Sequence, residues 1–477
     1  MASKSASNPA NTGNKLLSPR DKRVALIAVS LGTAQSAMTL SSIQIAIPEL
    51  ARELQADAVL VGWIPMSFLL INAIFILPMG RYADAVGRRK VYLLGMVLFA
   101  AGNLLAAFSH TMEWMLLCRA FQGLATAMMH ATGMAIISSI YTGKERAGAL
   151  GITASAIYLG LALGPVVGGF LTEYTGWRSV FAAQVPLSLL NLFLVGRFLR
   201  GEWKSSEPMP VDWPGTALLG IALSCIVIAT SLPIDGVFPS AQLALLIGAT
   251  LFTWLFGRHI ARVPYPLVRW HAIRGNMVFL SSLTTAFFVY AGNYTLVFLL
   301  SLLLQYTMGM TPSDAGLIVL LQVLMVVLVS LLFTKRSFAV SQRVLVSIGC
   351  AMVSLAFFLL SLMTSTTPLF LVVLALLLNG VGIGIFTTPN NNLAMGAVNP
   401  DRLSSASAIL NLSRYLGNMA GTAVVMLLIT VFLGRSEIGP QNYEGLQQVG
   451  HYAFLFAALS TAIASLLAYR ARPTPQS

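Results

Sequence analysis

Arg119, Gln122 and His130 fall together in one long apolar run that begins near Trp114, and their types are the ones that do chemistry in such a setting. Steps of three and eleven residues on a helix of about 3.6 residues per turn keep them on one face, with Arg119 and His130 about 16 Å apart along the axis. A guanidinium there can hold an anion, and an imidazole can carry a proton near neutral pH. A second polar face, Ser404, Ser407, Asn411, Arg414 and Asn418, recurs at three- and four-residue steps further on. Both faces also suit plain helix–helix hydrogen bonding. No reacting constellation accompanies them. Every carboxylate lies in a connection or near the end of an apolar run, as Glu49, Glu53, Glu113 and Glu173 do. Cys118, Cys225 and Cys350 are scattered without disulfide or metal spacing, and no G-x-x-x-x-G-K-[ST] stretch is present. The residues therefore predict no enzyme, no cofactor, no metal centre and no ATP-driven engine. They point to binding and conformational work.

The composition says what must position these groups. Of 477 residues 57% are hydrophobic and only 9% charged, with a mean hydropathy of +0.79. A water-facing domain carries about 25% charged residues, so this chain is read as an integral membrane protein. Runs of about 20 apolar residues are what one helical crossing needs. Fourteen such runs begin near Val24, Val61, Val91, Trp114, Ala147, Val180, Pro214, Ala241, Met277, Ala315, Val344, Leu369, Leu403 and Tyr452. The alternation of a membrane β-strand is not seen. The expected fold is all-α, with fourteen transmembrane helices. The net charge of +13 is then a topology signal: 24 of the 29 Lys and Arg residues fall on one side if the N-terminus is cytoplasmic. Both termini are predicted to be cytoplasmic, in a multi-pass protein of the cell (inner) membrane. The segment before Val24 has no apolar core with a cleavage site, so the first span is expected to act as the insertion signal. Polar and proline-bearing stretches divide the chain into a leader (1–23), a six-helix half (24–200), an inserted helix pair with its flanking loops (201–274), a second six-helix half (275–470) and a tail (471–477).

The sharpest motif is Gly80-Arg81-Tyr82-Ala83-Asp84-Ala85-Val86-Gly87-Arg88-Arg89-Lys90, between the second and third runs. Its glycines suit a tight turn, and Asp84 among cations suits a place facing a helix N-terminus. In this stretch the chain resembles the major facilitator superfamily, specifically its fourteen-span drug:proton antiporter branch. Cys118-Arg119-Ala120-Phe121-Gln122-Gly123 is similar to the fourth-span pattern of that branch, and Gly160 to Gly169, with Gly164, Pro165 and Gly168, is similar to its fifth-span antiporter motif. Trp177-Arg178, Asp212-Trp213-Pro214-Gly215 and Gln305 with Gly309, Pro312 and Gly316 fit as well. The resemblance spans about Val24 to Ala471. It implies two six-helix halves rocking by alternating access, a gating role for Gly80, Asp84, Gly87, Arg88 and Arg89, and a sealing role for the fifth span.

One departure matters for function. The resemblance puts an acid in the first span, and aligning on Pro48 puts Thr39 in its place. Gln35, Ser36, Thr39 and Ser42 make an uncharged polar stripe instead. With Arg119 and Arg414 as cavity charges and His130 or Glu49 left to carry protons, the expected cargo is neutral or anionic and amphipathic. Pro389-Asn390-Asn391-Asn392 is read as the cap and turn ending the twelfth span. The expected function is secondary-active export of small amphipathic organic compounds or drugs by a monomer in the lipid bilayer, proton-coupled. A facilitator or anion/metabolite transporter without standard proton antiport is the alternative. No nucleic-acid partner is expected.

Overall fold

The structure, a computed structural model, describes residues 18–141, 143–199, 201–205, 208–232, 239–268, 276–335, 340–398 and 403–470. The leader up to residue 17, parts of the 201–274 connections, the side chain of Ser404 and the tail 471–477 lie outside the described residues.

The described chain is helical: α1 (Pro19–Glu53), α2 (Ala58–Val86), α3 (Arg88–Ala107), α4 (Met112–Ile140), α5 (Gly143–Thr175), α6 (Trp177–Ala182), α7 (Gln184–Phe198), α8 (Trp213–Ala229), α9 (Pro239–Arg262), α10 (Met277–Leu302), α11 (Pro312–Lys335), α12 (Gln342–Ser361), α13 (Leu369–Gly396), α14 (Leu403–Phe432) and α15 (Tyr443–Arg470). Thirteen spans are long and apolar enough to cross a bilayer, α6 and α7 together forming one of them, and the apolar α8 adds a shorter seventeen-residue helix. Every expected run thus carries a helix. The α6–α7 break falls at Ala183, where Pro186 has no N–H to give the Ala182 carbonyl. Side chains set the starts: Asp57 caps α2 through the Leu60 N–H at 2.7 Å, and Thr111 caps α4 through the Trp114 N–H at 3.3 Å.

Packing repeats along the chain. In the first half α1 lies on α5 and α2 on α4; in the second, α10 lies on α14 and α11 on α13. Glycines make the equivalent contacts. A Cβ on Gly160 of α5 would overlap the Ala34 carbonyl of α1, and one on Gly417 of α14 would overlap the Phe287 carbonyl of α10. Two seams join the halves, α5 against α11 and α2 against α14, related by the same repeat.

Two sequence expectations are corrected here. Gly80 is helical, because α2 continues to Val86; the whole turn is made by Gly87 at φ +131°, a conformation that costs other residues dearly. Pro389 does not end its helix either. α13 runs on to Gly396 through Asn390 to Asn392, the proline being tolerated within a membrane helix.

Candidate functional site

The seams close the molecule at the face opposite the basic Arg81–Lys90 stretch. There the Ile45 carbonyl accepts from Gln305 Nε2 at 3.0 Å, the Pro48 carbonyl from the Tyr306 hydroxyl at 3.1 Å, and the Ser436 carbonyl from the Ala58 N–H at 3.0 Å. The α5 glycines lie at the closest approaches on this face. Gly164 and Gly168 lie on Met38, Ser41 and Ser42 of α1, while Gly169 meets the Pro312–Ser313 backbone of α11 and Gly316 meets the Pro165 carbonyl. Pro165 sits inside α5. Toward the basic face, Gly148 and Gly151 of α5 have no atom within 4 Å of an added Cβ. The polar groups that meet between the halves around His130 are termed the cleft.

His130 stands in that cleft, partly exposed, and bridges the halves. Its Nε2 lies 2.8 Å from the Ser36 hydroxyl of α1 and its Nδ1 lies 2.7 Å from the Tyr415 hydroxyl of α14. Arg414, the residue before Tyr415 on α14, donates to Asn411 at 3.2 Å and to Asn391, with its guanidinium 5.3 Å from the Tyr290 ring centroid. Tyr158 of α5 lies within electrostatic reach of Arg414. Tyr158, Tyr290, Tyr415 and Asn391 are thus cleft residues that the sequence reading missed. A tyrosine or asparagine within an apolar run looks the same whether it meets lipid, core or cleft.

Arg119 is placed differently. It is 0% exposed and sits in the closed seam, so the face it shares with His130 borders the cleft only at the His130 end. Its Nε donates to the Ile64 carbonyl at 3.2 Å and its Nη1 to Gln122 Oε1 at 2.7 Å. The guanidinium lies over the Phe68 ring, and Tyr294 of α10 is within electrostatic reach across the seam. Nη2 is buried without a hydrogen-bond partner. Gln122 in turn donates to Asn103 at 3.3 Å. No carboxylate neutralises Arg119 among the described residues, all of whose acids lie at helix ends or in connections.

The first-span stripe does not act as one surface. Gln35 turns into its own half, donating to the Gln184 carbonyl at 2.8 Å and to Ser188 at 2.6 Å. The Thr39 and Ser42 hydroxyls back-bond to the Gln35 and Thr39 carbonyls, and only Ser36 reaches His130. Glu49 also lies away from the cleft. It accepts from the Trp177 backbone N–H at the start of α6 and borders a recess of about 340 Å³ on the closed face, with Arg52, Glu173 and Tyr306.

At the basic face Asp84 pairs with Arg88 at 2.8 Å, and Arg88 also donates to Ser139 of α4 at 2.8 Å. The carboxylate at the N-terminus of α3 is Glu202, which accepts from the Arg89 N–H at 2.8 Å; the expectation that Asp84 serves there is corrected. Glu202 lies more than a hundred residues away in sequence, and no spacing could have revealed it.

The comparisons with known proteins agree with this architecture. The Major Facilitator Superfamily profile matches residues 29–422 and 283–477. The chain is 28% identical over 457 residues to the multidrug efflux pump LfrA of Mycolicibacterium smegmatis, covering 94% of this chain and 90% of that protein. It is 25% identical over 412 residues to the riboflavin transporter RibZ of Clostridioides difficile, covering 85% and 87%. Among solved structures, a bacterial homolog of the human lysosomal transporter Spinster, inward-facing and occupied, superposes with a TM-score of 0.68 at 15% identity, covering 96% of this chain and all of that one. With two repeated helical halves, a cleft between them and this match along nearly its whole length, the chain belongs to the major facilitator superfamily of transporters.

Proposed function

We propose that this protein is a secondary-active exporter of small amphipathic organic compounds, neutral or anionic, of the fourteen-span drug:proton antiporter branch. It works as a monomer by alternating access between the halves 24–200 and 275–470, with both termini in the cytoplasm of a cell-membrane protein. The observation that carries this reading is the Ser36–His130–Tyr415 bridge. A titratable ring joined to both halves must break at least one hydrogen bond when they rock apart, so its protonation and the state of the transporter are linked. Cargo charge follows from the charges present: Arg414 supplies positive charge at the cleft, Arg119 adds it from the buried seam, and no described carboxylate reaches either, so a lipophilic cation meets repulsion without compensation.

Solute flux in proteoliposomes with imposed pH and voltage gradients, run across cationic, neutral and anionic amphiphiles, tests both parts. Neutral and anionic compounds should move and respond to the pH gradient, and His130→Gln should abolish that response. Uptake of cations alone would refute the cargo class. The second reading, a facilitator of anions or metabolites, draws on the unneutralised Arg119; flux indifferent to collapse of the pH gradient would favour it.

A further inference from the structure

The inserted pair α8–α9 takes no part in the cleft, yet it touches both halves and the signature stretch. Gly220 of α8 packs on Ile74 of α2, and Leu223 and Val227 join a cluster with Met66 of α2 and Met426 of α14. α8 therefore lies over the α2–α14 seam. The segments flanking the pair reach the basic face. Asp212 holds them together: its Oδ1 accepts from the Gly215 N–H at 2.9 Å, capping α8, and from His259 of α9 at 2.7 Å, while its Oδ2 accepts from the Leu267 N–H at 3.0 Å. One side chain, 3% exposed, thus ties the start of α8, the end of α9 and the 265–267 segment. Arg81 of the signature stretch holds the same segment, donating to the carbonyls of Tyr265 at 2.8 Å, Pro266, and Leu267 at 3.4 Å.

We propose that Asp212 is a positioning residue for the signature stretch. By fixing the 265–267 segment under Arg81, it makes the inserted pair the anchor that holds the Arg81–Lys90 turn to the first half, from a helix that also packs on α14. The proposal rests on neither the cargo class nor proton coupling.

The test is amide hydrogen exchange of the full chain in lipid nanodiscs. Asp212→Asn keeps the helix cap, since asparagine caps as well as aspartate, but leaves one acceptor oxygen where three donors converge. The amides of residues 87–89 should exchange about tenfold faster, as expected for loss of a charge-assisted hydrogen bond, while those of residues 216–222 stay at the parent rate. Arg81→Lys keeps the charge but loses the fork. It should give the same acceleration, and the double variant no more than either, because both cut one chain of contacts. Residues 87–89 exchanging within twofold of the parent in Arg81→Lys, or effects that add in the double variant, would overturn the proposal. Faster exchange of residues 216–222 in Asp212→Asn with residues 87–89 at the parent rate would also overturn it, because Asp212 would then act on α8 alone.

Discussion

Gly169 is where the closed face depends on the absence of a single methyl group. A Cβ there would stand 3.0 Å from the Pro312 carbonyl carbon and 3.1 Å from Ser313 Cα, and closer still to the Pro312 oxygen. All three are backbone atoms of α11, so no side chain can swing aside, and the helices must separate by roughly an ångström to reach ordinary contact. Overpacking of this kind costs about 1–3 kcal/mol. The cost falls only on the state in which α5 and α11 touch, so Gly169→Ala should shift the equilibrium toward the state open at this face by about 5- to 150-fold. A cysteine pair replacing Glu173 and Ser313 reports on it, because the Glu173 carboxylate and the Ser313 N–H are 3.1 Å apart when the face is closed. The rate of disulfide formation between that pair should fall with the closed population. Gly148→Ala on the same helix is the control, because nothing lies within 4 Å of its added methyl. An unchanged rate in Gly169→Ala, or an equal fall in Gly148→Ala, would refute the argument that this close approach seals the transporter.

Three further outcomes are expected. Asp84→Asn breaks a partly exposed ion pair worth under about 1 kcal/mol, so melting should barely move while turnover slows and cargo affinity holds; unchanged turnover would remove the pair from state exchange. Thr39→Asp places an acid on the first span, and efflux of a cationic dye driven by a pH gradient should appear; no response would mean the departure from the antiporter pattern runs deeper than one residue. For Asp212, burial pushes the carboxyl up, but hydrogen bonds from His259, Gly215 and Leu267 outweigh it and hold the group below the ordinary 3.8. A carboxylate so depressed stabilises the fold above its unfolded pKa and loses that contribution as pH falls through the folded value. Protection of the Gly215 and Leu267 amides, corrected for intrinsic rate, should therefore hold from neutral pH to about 5 and fade below the ordinary aspartate range; loss already above about pH 5 would refute this assignment to Asp212.

How much of this was legible in the sequence depends on how local each cause is. Helix content and the fourteen runs follow from composition and run length, and the α5 glycines announced close approach because a row of them serves little else in a membrane helix. Contacts across long sequence separation were hidden. Tyr415 and Ser36 meet His130 only once two distant helices are docked, and nothing in their neighbours marks them. Gly80 and Pro389 misled for a related reason: read alone they signal a turn, but neighbouring helices and low polarity let the helix absorb them. Arg119 stands out in the sequence as a charge within an apolar run, yet whether its face is open or shut belongs to the conformational state, which no single sequence encodes.

That distinction makes Arg119 open to a sharp test. Its side chain could matter as a hydrogen-bond donor that ties α4 to the Ile64 carbonyl of α2, or as a charge. A structural donor can be replaced by a neutral amide, since Arg119→Gln still offers N–H groups toward Ile64 and Gln122. A charge cannot. Arg119→Lys keeps the charge while giving up the planar fork and its stacking on Phe68. The lack of a described counter-charge decides which outcome to expect: a fully buried cation costs several kcal/mol, and two hydrogen bonds to neutral acceptors, worth about 1.5–3 kcal/mol each, would be supplied nearly as well by a neutral donor at far lower cost. A chain that used Arg119 only as glue would therefore be more stable with glutamine there. Arg119→Gln should raise or preserve the melting temperature while transport falls at least about tenfold, and Arg119→Lys should retain part of the flux. Full transport by Arg119→Gln in proteoliposomes would assign the guanidinium to packing and remove the cationic seam from the account of cargo choice.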